Sequence, residues 1–210
     1  SDSGRIQTYS IGGGQSPSSS DLPDRIQIRV PSPAVHESVL YVCNRGGTVA
    51  SIDYSQNRQR WSFDTEDSII ASPVVVQGTL YIGTLNGTLH AVDAVGGGEE
   101  WQHTADSAIS TTTAIDQTTA YIGTHGGSVV AVDASNGDQR WVYETGSPVY
   151  AAPPLASEQV YVATGKGVVA ALGDDGTEAW TRSIDGAVIG SPALVGSQLF
   201  VGTDTGTLYA

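Results

Sequence analysis

The sequence predicts an all-β protein made of tandem four-stranded antiparallel units. Three observations lead there. First, five segments align along the chain: 39–53, 79–93, 119–133, 159–173 and 198–210. Their aromatic anchors Tyr41, Tyr81, Tyr121, Tyr161 and Phe200 are spaced 40, 40, 40 and 39 residues apart. Second, Trp61, Trp101, Trp141 and Trp180 follow the first four anchors by 20, 20, 20 and 19 residues, so all four tryptophans occupy one repeat position. Third, turn residues recur every 8–10 residues, supplied by 26 glycines. Four short strands in about 40 residues is the arithmetic of a β-propeller blade. One such blade cannot bury both of its faces, so the units must stack on one another.

The second repeat gives the elements in order. Strand A covers about 73–77, with Pro73 at its first position, where a missing N–H is tolerated. Gln77-Gly78 makes a hairpin turn to strand B at about 79–84, and Asn86-Gly87 closes the next hairpin. Strand C, about 88–93, alternates Leu89, Ala91 and Asp93 against Thr88, His90 and Val92. A glycine-rich turn at 94–99 leads to strand D at about 100–104, and a polar loop runs to the next unit. The residue before strand A is followed by proline at Ser32-Pro33, Ser72-Pro73, Ala152-Pro153 and Ser191-Pro192; the third repeat has Thr112-Thr113 instead.

The repeats fall at about 31–70, 71–110, 111–150, 151–189 and 190–210. Residues 1–30 are expected to add strands that complete a blade: 4–11 resembles a strand C and 25–30 alternates like a strand D, with a Gly/Ser/Pro-rich loop over 12–24. Two arrangements of about five blades follow. One is a closed five-bladed ring; the other is a section of a seven- or eight-bladed propeller. The absence of methionine, the start in mid-blade and the end at Ala210 predict a processed chain or an excerpt.

A formal net charge of −13 argues against nucleic acid and anionic membranes as partners. No apolar stretch approaches the 18 or so residues of a membrane span. Lys166 is the only lysine beside eight arginines. Many carboxylates with almost no lysine resemble the composition of haloarchaeal proteins, in which concentrated salt screens self-repulsion; an ordinary acidic secreted domain is the alternative. Cys43 is alone and lies in an apolar strand pattern, so it reads as a buried, inert thiol.

The passage from strand C to strand D is the most specific motif. Ala131, Asp133, Gly137 and Trp141 read A-x-D-x-x-x-G-x-x-x-W, and Ala91, Asp93, Gly97 and Trp101 repeat it at the same spacing. Ser51, Asp53, Asn57 and Trp61 form a softened copy, and Ala171 with Trp180 a copy shortened by one residue, with Gly173 at the Asp position. This closely resembles the tryptophan-docking motif of the quinoprotein (PQQ-like) β-propeller repeat. WD40-like and kelch repeats match less well, because their dipeptide signatures do not recur. The resemblance implies that each Trp packs between adjacent blades and that the Ala, Asp and Gly shape its dock. Quinoprotein dehydrogenases also use a bound quinone, calcium, a catalytic aspartate and, in many members, a vicinal disulfide. This chain departs from them: it has one cysteine, and its repeated aspartates belong to the repeat itself. Neither PQQ nor calcium is expected, and no catalytic residue is assigned.

No metal site is expected either, since His36, His90, His103 and His125 lack a mutual ligand spacing. The remaining variation lies at the tips of the B–C turns: Arg45, Leu85-Asn86, His125, Gly165-Lys166 and Asp204. Propeller geometry puts these tips on one face with the D–A loops, which carry Asp64, Glu66, Asp67, Asp106, Glu144 and Asp185. Arg45, Asn86, His125, Lys166 and Asp204 are therefore the candidate contacts for a protein or small-ligand partner, inside an acidic rim. The function expected is a non-catalytic scaffold or recognition propeller outside the cytoplasm, similar in role to propeller lipoproteins that dock onto envelope assembly machines. A quinone-dependent oxidoreductase remnant and a binding domain of a larger cell-surface protein are the alternatives.

Overall fold

The computed structural model describes residues 5–8, 18–21, 31–156 and 159–210. Every regular element among them is a strand, and none is a helix. An N-terminal pair, β1 (Arg5–Thr8) and β2 (Ser18–Asp21), precedes five blades. Blade I holds β3 (Ala34–His36), β4 (Val39–Cys43), β5 (Thr48–Asp53) and β6 (Arg58–Asp64). Blade II holds β7 (Val74–Val76), β8 (Thr79–Gly83), β9 (Thr88–Asp93) and β10 (Glu99–Thr104). Blade III holds β11 (Ala114–Ile115), β12 (Thr119–Gly123), β13 (Ser128–Asp133) and β14 (Gln139–Glu144). Blade IV holds β15 (Leu155–Ala156), β16 (Gln159–Ala163), β17 (Val168–Gly173) and β18 (Glu178–Ser183). Blade V has β19 (Ala193–Val195), β20 (Gln198–Gly202) and β21 (Leu208–Tyr209). Each blade is an antiparallel meander with its strands hydrogen-bonded in sequence order. This is the architecture of a β-propeller.

Strand alternation builds the core. Successive side chains of a central strand point to opposite faces of its blade. Leu80 and Ile82 of β8 therefore join Tyr41, Cys43 and Val49 of blade I, while Tyr81 between them joins Ala120, Ile122, Val130 and Val132 of blade III. The same interleaving links blade III to IV and blade IV to V. One loop residue plugs each interface: Ile69, Ile109, Val149 and Val188 are all fully buried.

Of the two hairpin turns of blade II, the first lies where the sequence predicts it and the second differs in detail. Gln77 and Gly78 both have positive φ, 52° and 87°, which gives the β7–β8 hairpin the twist a two-residue loop requires. At the β8–β9 turn the tight pair is Leu85-Asn86, since Gly87 N–H donates to Thr84 O at 3.2 Å. Gly87, at φ 92°, is the left-handed residue that follows. Asn86 fixes this turn through its Oδ1, which accepts from Thr88 N–H and the Thr84 hydroxyl.

The N-terminal segment also differs. The loop expected over 12–24 contains β2. Its serines are poor strand formers, and pairing with β1 overrides that preference. The pairing runs from Arg5↔Asp21 to Thr8↔Ser18. Strands C and D of blade III pair in the same frame, from Ser128↔Glu144 to Ala131↔Trp141. β1 and β2 thus carry the register of a C–D hairpin. The strand expected at 25–30 lies outside the described residues.

Candidate functional site: the blade locks and the loop face

Four aspartates knot the C–D turns. Asp133 accepts Ser135 N–H at 2.9 Å and the Ser135 hydroxyl on one oxygen, and Arg140 at 2.8 Å on the other. Asp53 does the same with Ser55, Gln56 and Arg60. The serine hydroxyls first, and the arginines second, hold both carboxyls well below the usual carboxylate range. Asp93 accepts the N–H groups of Val95 and Gly96. In the shortened fourth turn, where Gly173 replaces the motif Asp, Asp175 takes over and binds Thr177.

Three of these turns, those of Asp93, Asp133 and Asp175, receive the tryptophan of the preceding blade. Trp61 Nε1 donates to Ala94 O at 3.1 Å, Trp101 to Ala134 O at 3.1 Å and Trp141 to Asp174 O at 2.7 Å. Beneath each indole lies the motif glycine, with positive φ: Gly97 under Trp61, Gly137 under Trp101 and Gly176 under Trp141. A Cβ at any of the three would lie 2.5–2.7 Å from ring carbons. Ala91 and Ala131 are fully buried beside these docks, and the rings of the anchors Tyr41, Tyr81 and Tyr121 pack at a tilt against the tryptophan of their own blade, with centroids 5.8–5.9 Å apart. Asn57 holds the glycine position of the first turn at φ 50°. Gly176 had not been singled out in the sequence because the fourth copy is one residue short. Trp180 packs against Tyr161 and, with Leu199, against the cluster of Ala163, Val169, Val188 and Val201, beside a groove of about 360 Å³ that Arg182 and Tyr209 also line.

The opposite ends of the strands form the loop face. The B–C tips of blades II–V are bound to the D–A loop that enters their blade. Leu85 N–H donates to Ser68 O, His125 to Ala108 O, Gly165 to Pro148 O and Asp204 to Ala187 O, at 2.8–3.0 Å. Every tip of blades I–IV is also bound to the loop that leaves its blade: Thr65, Ala105, Thr145 and Ile184 N–H donate to the carbonyls of Gly47, Gly87, Gly127 and Gly167. The structure brings Asn86, His125, Lys166 and Asp204 onto this braced face, with Arg45 at the equivalent tip of blade I. Arg45, Asn86, Lys166 and Asp204 are exposed, and His125 is half-buried.

Several rim acids also serve the loops. Asp67 Oδ2 accepts Asn86 N–H at 2.6 Å, Asp106 Oδ1 the Ser128 hydroxyl at 2.8 Å, and Asp204 Oδ1 Ala187 N–H at 2.7 Å. Asp64, Glu66, Glu144 and Asp185 are exposed. The sequence reading missed two residues of this face. Ser110 binds His125 Nε2 at 2.5 Å, and Tyr150 meets the His125 ring edge-on at 5.3 Å. Their signal was position: Ile70, Ser110, Tyr150 and Ile189 are equivalent loop residues that differ between copies.

The other histidines are scattered. His36 is exposed, His90 is buried against Glu99 and Phe63, and His103 reaches Gly137 O across the blade II–III interface. Among the described residues no three His, Cys, Asp or Glu side chains gather as a metal-binding group. No described helix is long and apolar enough to cross a membrane. A second cleft, of about 340 Å³ between blades II and III, has its charged groups engaged internally: Asp133 with Arg140, and Asp116 with Tyr121 and the backbone of Thr118 and Thr119.

Repeated blades interlocked from tryptophan to the glycine of the next turn define a PQQ-like repeat β-propeller. Comparison with known proteins then specifies the family. The chain belongs to the family described as outer membrane protein assembly factor BamB, whose profile matches residues 2–210. The crystal structure of BamB from Moraxella catarrhalis is similar at a TM-score of 0.76 and 25% identity, over 84% of this chain and 59% of that one. The chain therefore spans somewhat over half the length of that protein. Two computationally designed proteins share the fold. Ika8 matches at a TM-score of 0.80 and 16% identity, over 88% of this chain and 58% of its own. Ika4 matches at 0.61 and 18%, over 69% and 90%. No curated relative matches the sequence.

Proposed function

We propose that this chain is a non-catalytic propeller scaffold that captures a protein partner on the loop face, outside the cytoplasm, in a salt-adapted setting. The observation that carries the reading is the bracing of the B–C tips, on both sides in blades II–IV and on one side in blades I and V. The backbone of this face is fixed by the repeat while its tip residues differ from copy to copy: Arg45, Leu85, His125, Gly165 and Asp204. A rigid frame with variable tips suits recognition. The family's description as an assembly factor supports a docking role, and its reference to the outer membrane supports a place beyond the cytoplasm. The net charge of −13 with one lysine supports salt adaptation. The motif residues, including Asp53, Asp93 and Asp133, are spent on blade locking, which leaves neither PQQ nor calcium an assigned ligand set. The β1–β2 hairpin, in C–D register, adds half a blade to the array.

Photo-crosslinking tests the reading. A photoreactive residue at Asn86 or Lys166 should give protein adducts in envelope extracts of the source organism. The same residue at Gln77 or Val95, at the other ends of the strands, should not. With the photoreactive residue at Asn86, alanine at Arg45, His125 and Lys166 together should remove the adducts. Equal labelling from both faces, or adducts that survive the triple substitution, would refute docking on this face.

A further inference from the structure

We infer that Tyr150 is a stacking platform for an arginine side chain of the docking partner, with the Asp106 carboxylate as the counter-charge. This rests on the loop face being the docking surface and names the chemistry of what docks there.

Tyr150 is 41% exposed yet fixed on two sides. The His125 ring, from the tip of blade III, meets it at an interplanar angle of 78°. Gly165, from the tip of blade IV, also lies against the ring; a Cβ there would be 2.8 Å from Tyr150 Cε2. The copies at that tip position are Arg45, Leu85, His125 and Asp204, so glycine is the one residue that leaves room for the ring. Ser110 holds His125 in turn. An exposed aromatic ring propped in this way has given up its side-chain freedom before any partner arrives. That pre-organisation characterises the anchors that carry interface affinity.

The surroundings select the partner's charge. Asp106 is exposed, and its Oδ2 lies against Gly126, 2.5 Å from where a Cβ would stand. Gly126 follows His125, so one two-residue tip holds both the carboxylate and the support of the aromatic ring. Exposed Glu144 and Asp185 flank the same loops. An acidic partner segment would be repelled here. A purely apolar one would strip water from these carboxylates without pairing them. A planar guanidinium satisfies both features, because it stacks on a ring face and hydrogen-bonds to a carboxylate.

The test uses fluorescein-labelled acetyl-Gly-Leu-Arg-Leu-Gly-amide and its citrulline counterpart, which keeps the shape and loses the charge. Each is titrated into the full chain at low salt and followed by anisotropy. The arginine peptide should bind about threefold or more tighter than the citrulline peptide. Tyr150→Leu and Asp106→Asn should each abolish that preference, whereas Tyr150→Phe, which keeps the ring and its packing, should retain it. Equal binding of the two peptides, or a preference that survives Tyr150→Leu, overturns the arginine platform and leaves the docking face standing. Binding of neither peptide also overturns it, and the crosslinks from Asn86 and Lys166 then judge the face by themselves.

Discussion

Trp101 of blade II is locked to Gly137 of blade III: its indole covers the glycine so closely that a Cβ there would lie 2.5 Å from Cε3. The same indole donates to Ala134 O, three residues before that glycine. The repeat motif therefore works between units. Blades II and III each offer a tryptophan to the next turn and a glycine to the previous blade, and each of the three locks spans 33 residues or more of sequence.

Gly137→Ala should destabilise the protein on two counts, a φ of 76° that disfavours a Cβ and the overlap with Trp101. Trp101→Ala should cost about 3–5 kcal/mol. In the Trp101→Ala background the glycine substitution should cost less, because the overlap is gone and only the backbone strain remains. Urea midpoints of the four proteins in this cycle measure the coupling.

Ser51→Ala should stabilise. Ser51 is fully buried, and its Oγ has no hydrogen-bond partner among the described residues. The equivalent residues Ala91, Ala131 and Ala171 are fully buried without a polar atom. Removing an unsatisfied hydroxyl should raise stability by about 1 kcal/mol, readable as a higher urea midpoint at an unchanged slope.

Acid should unlock the turns. The carboxyls of Asp53 and Asp133 titrate below their unfolded value of 3.8. Their contribution is complete above about pH 4 and is lost as pH falls through the depressed folded values. Arg60→Met should shift acid unfolding, followed by circular dichroism, to higher pH. At the alkaline end the sign reverses. Burial first, and neighbouring carboxylates after it, push the Tyr121 and Tyr143 phenols up to about 12. Their contribution is complete below about pH 10 and is lost as pH rises from there through the raised folded value of about 12.

Cys43 should resist alkylation in the folded protein. It is 1% exposed, and burial pushes its thiol up to about 12. Iodoacetamide at pH 8 should leave it unmodified until urea unfolds blade I, with mass spectrometry as the readout.

Salt should stabilise the fold if the acidic surface is an adaptation. Raising NaCl from about 0.1 M to about 1 M shortens the screening length from about 10 Å to about 3 Å. Self-repulsion at a net charge of −13 should fall, and the melting temperature should rise. A melting temperature independent of salt would remove the argument for salt adaptation.

Local and periodic features were legible in the sequence. Strand C of the second repeat reads as Thr88–Asp93, which is where β9 lies, because alternation and turn residues act over a few positions. The N-terminus was less legible, since the serines of β2 carry no strand signal and only the pairing with β1 makes them a strand. On the loop face, Arg45, Asn86, His125, Lys166 and Asp204 could be placed from repeat arithmetic. The same arithmetic gives Ser110 and Tyr150 an equivalent loop position but not their roles, which arise across blade boundaries.

The sequence by itself determined the blade: its length, its four strands, its knotted turn and the fixed place of its tryptophan. The tertiary structure decided which glycine receives which tryptophan, that Gly176 serves as a dock despite the shortened fourth copy, and that Gly165 makes room for Tyr150. The physical reason is range. Backbone preference and hydrophobic period are written within ten residues, whereas these contacts depend on how one twisted sheet stacks on the next.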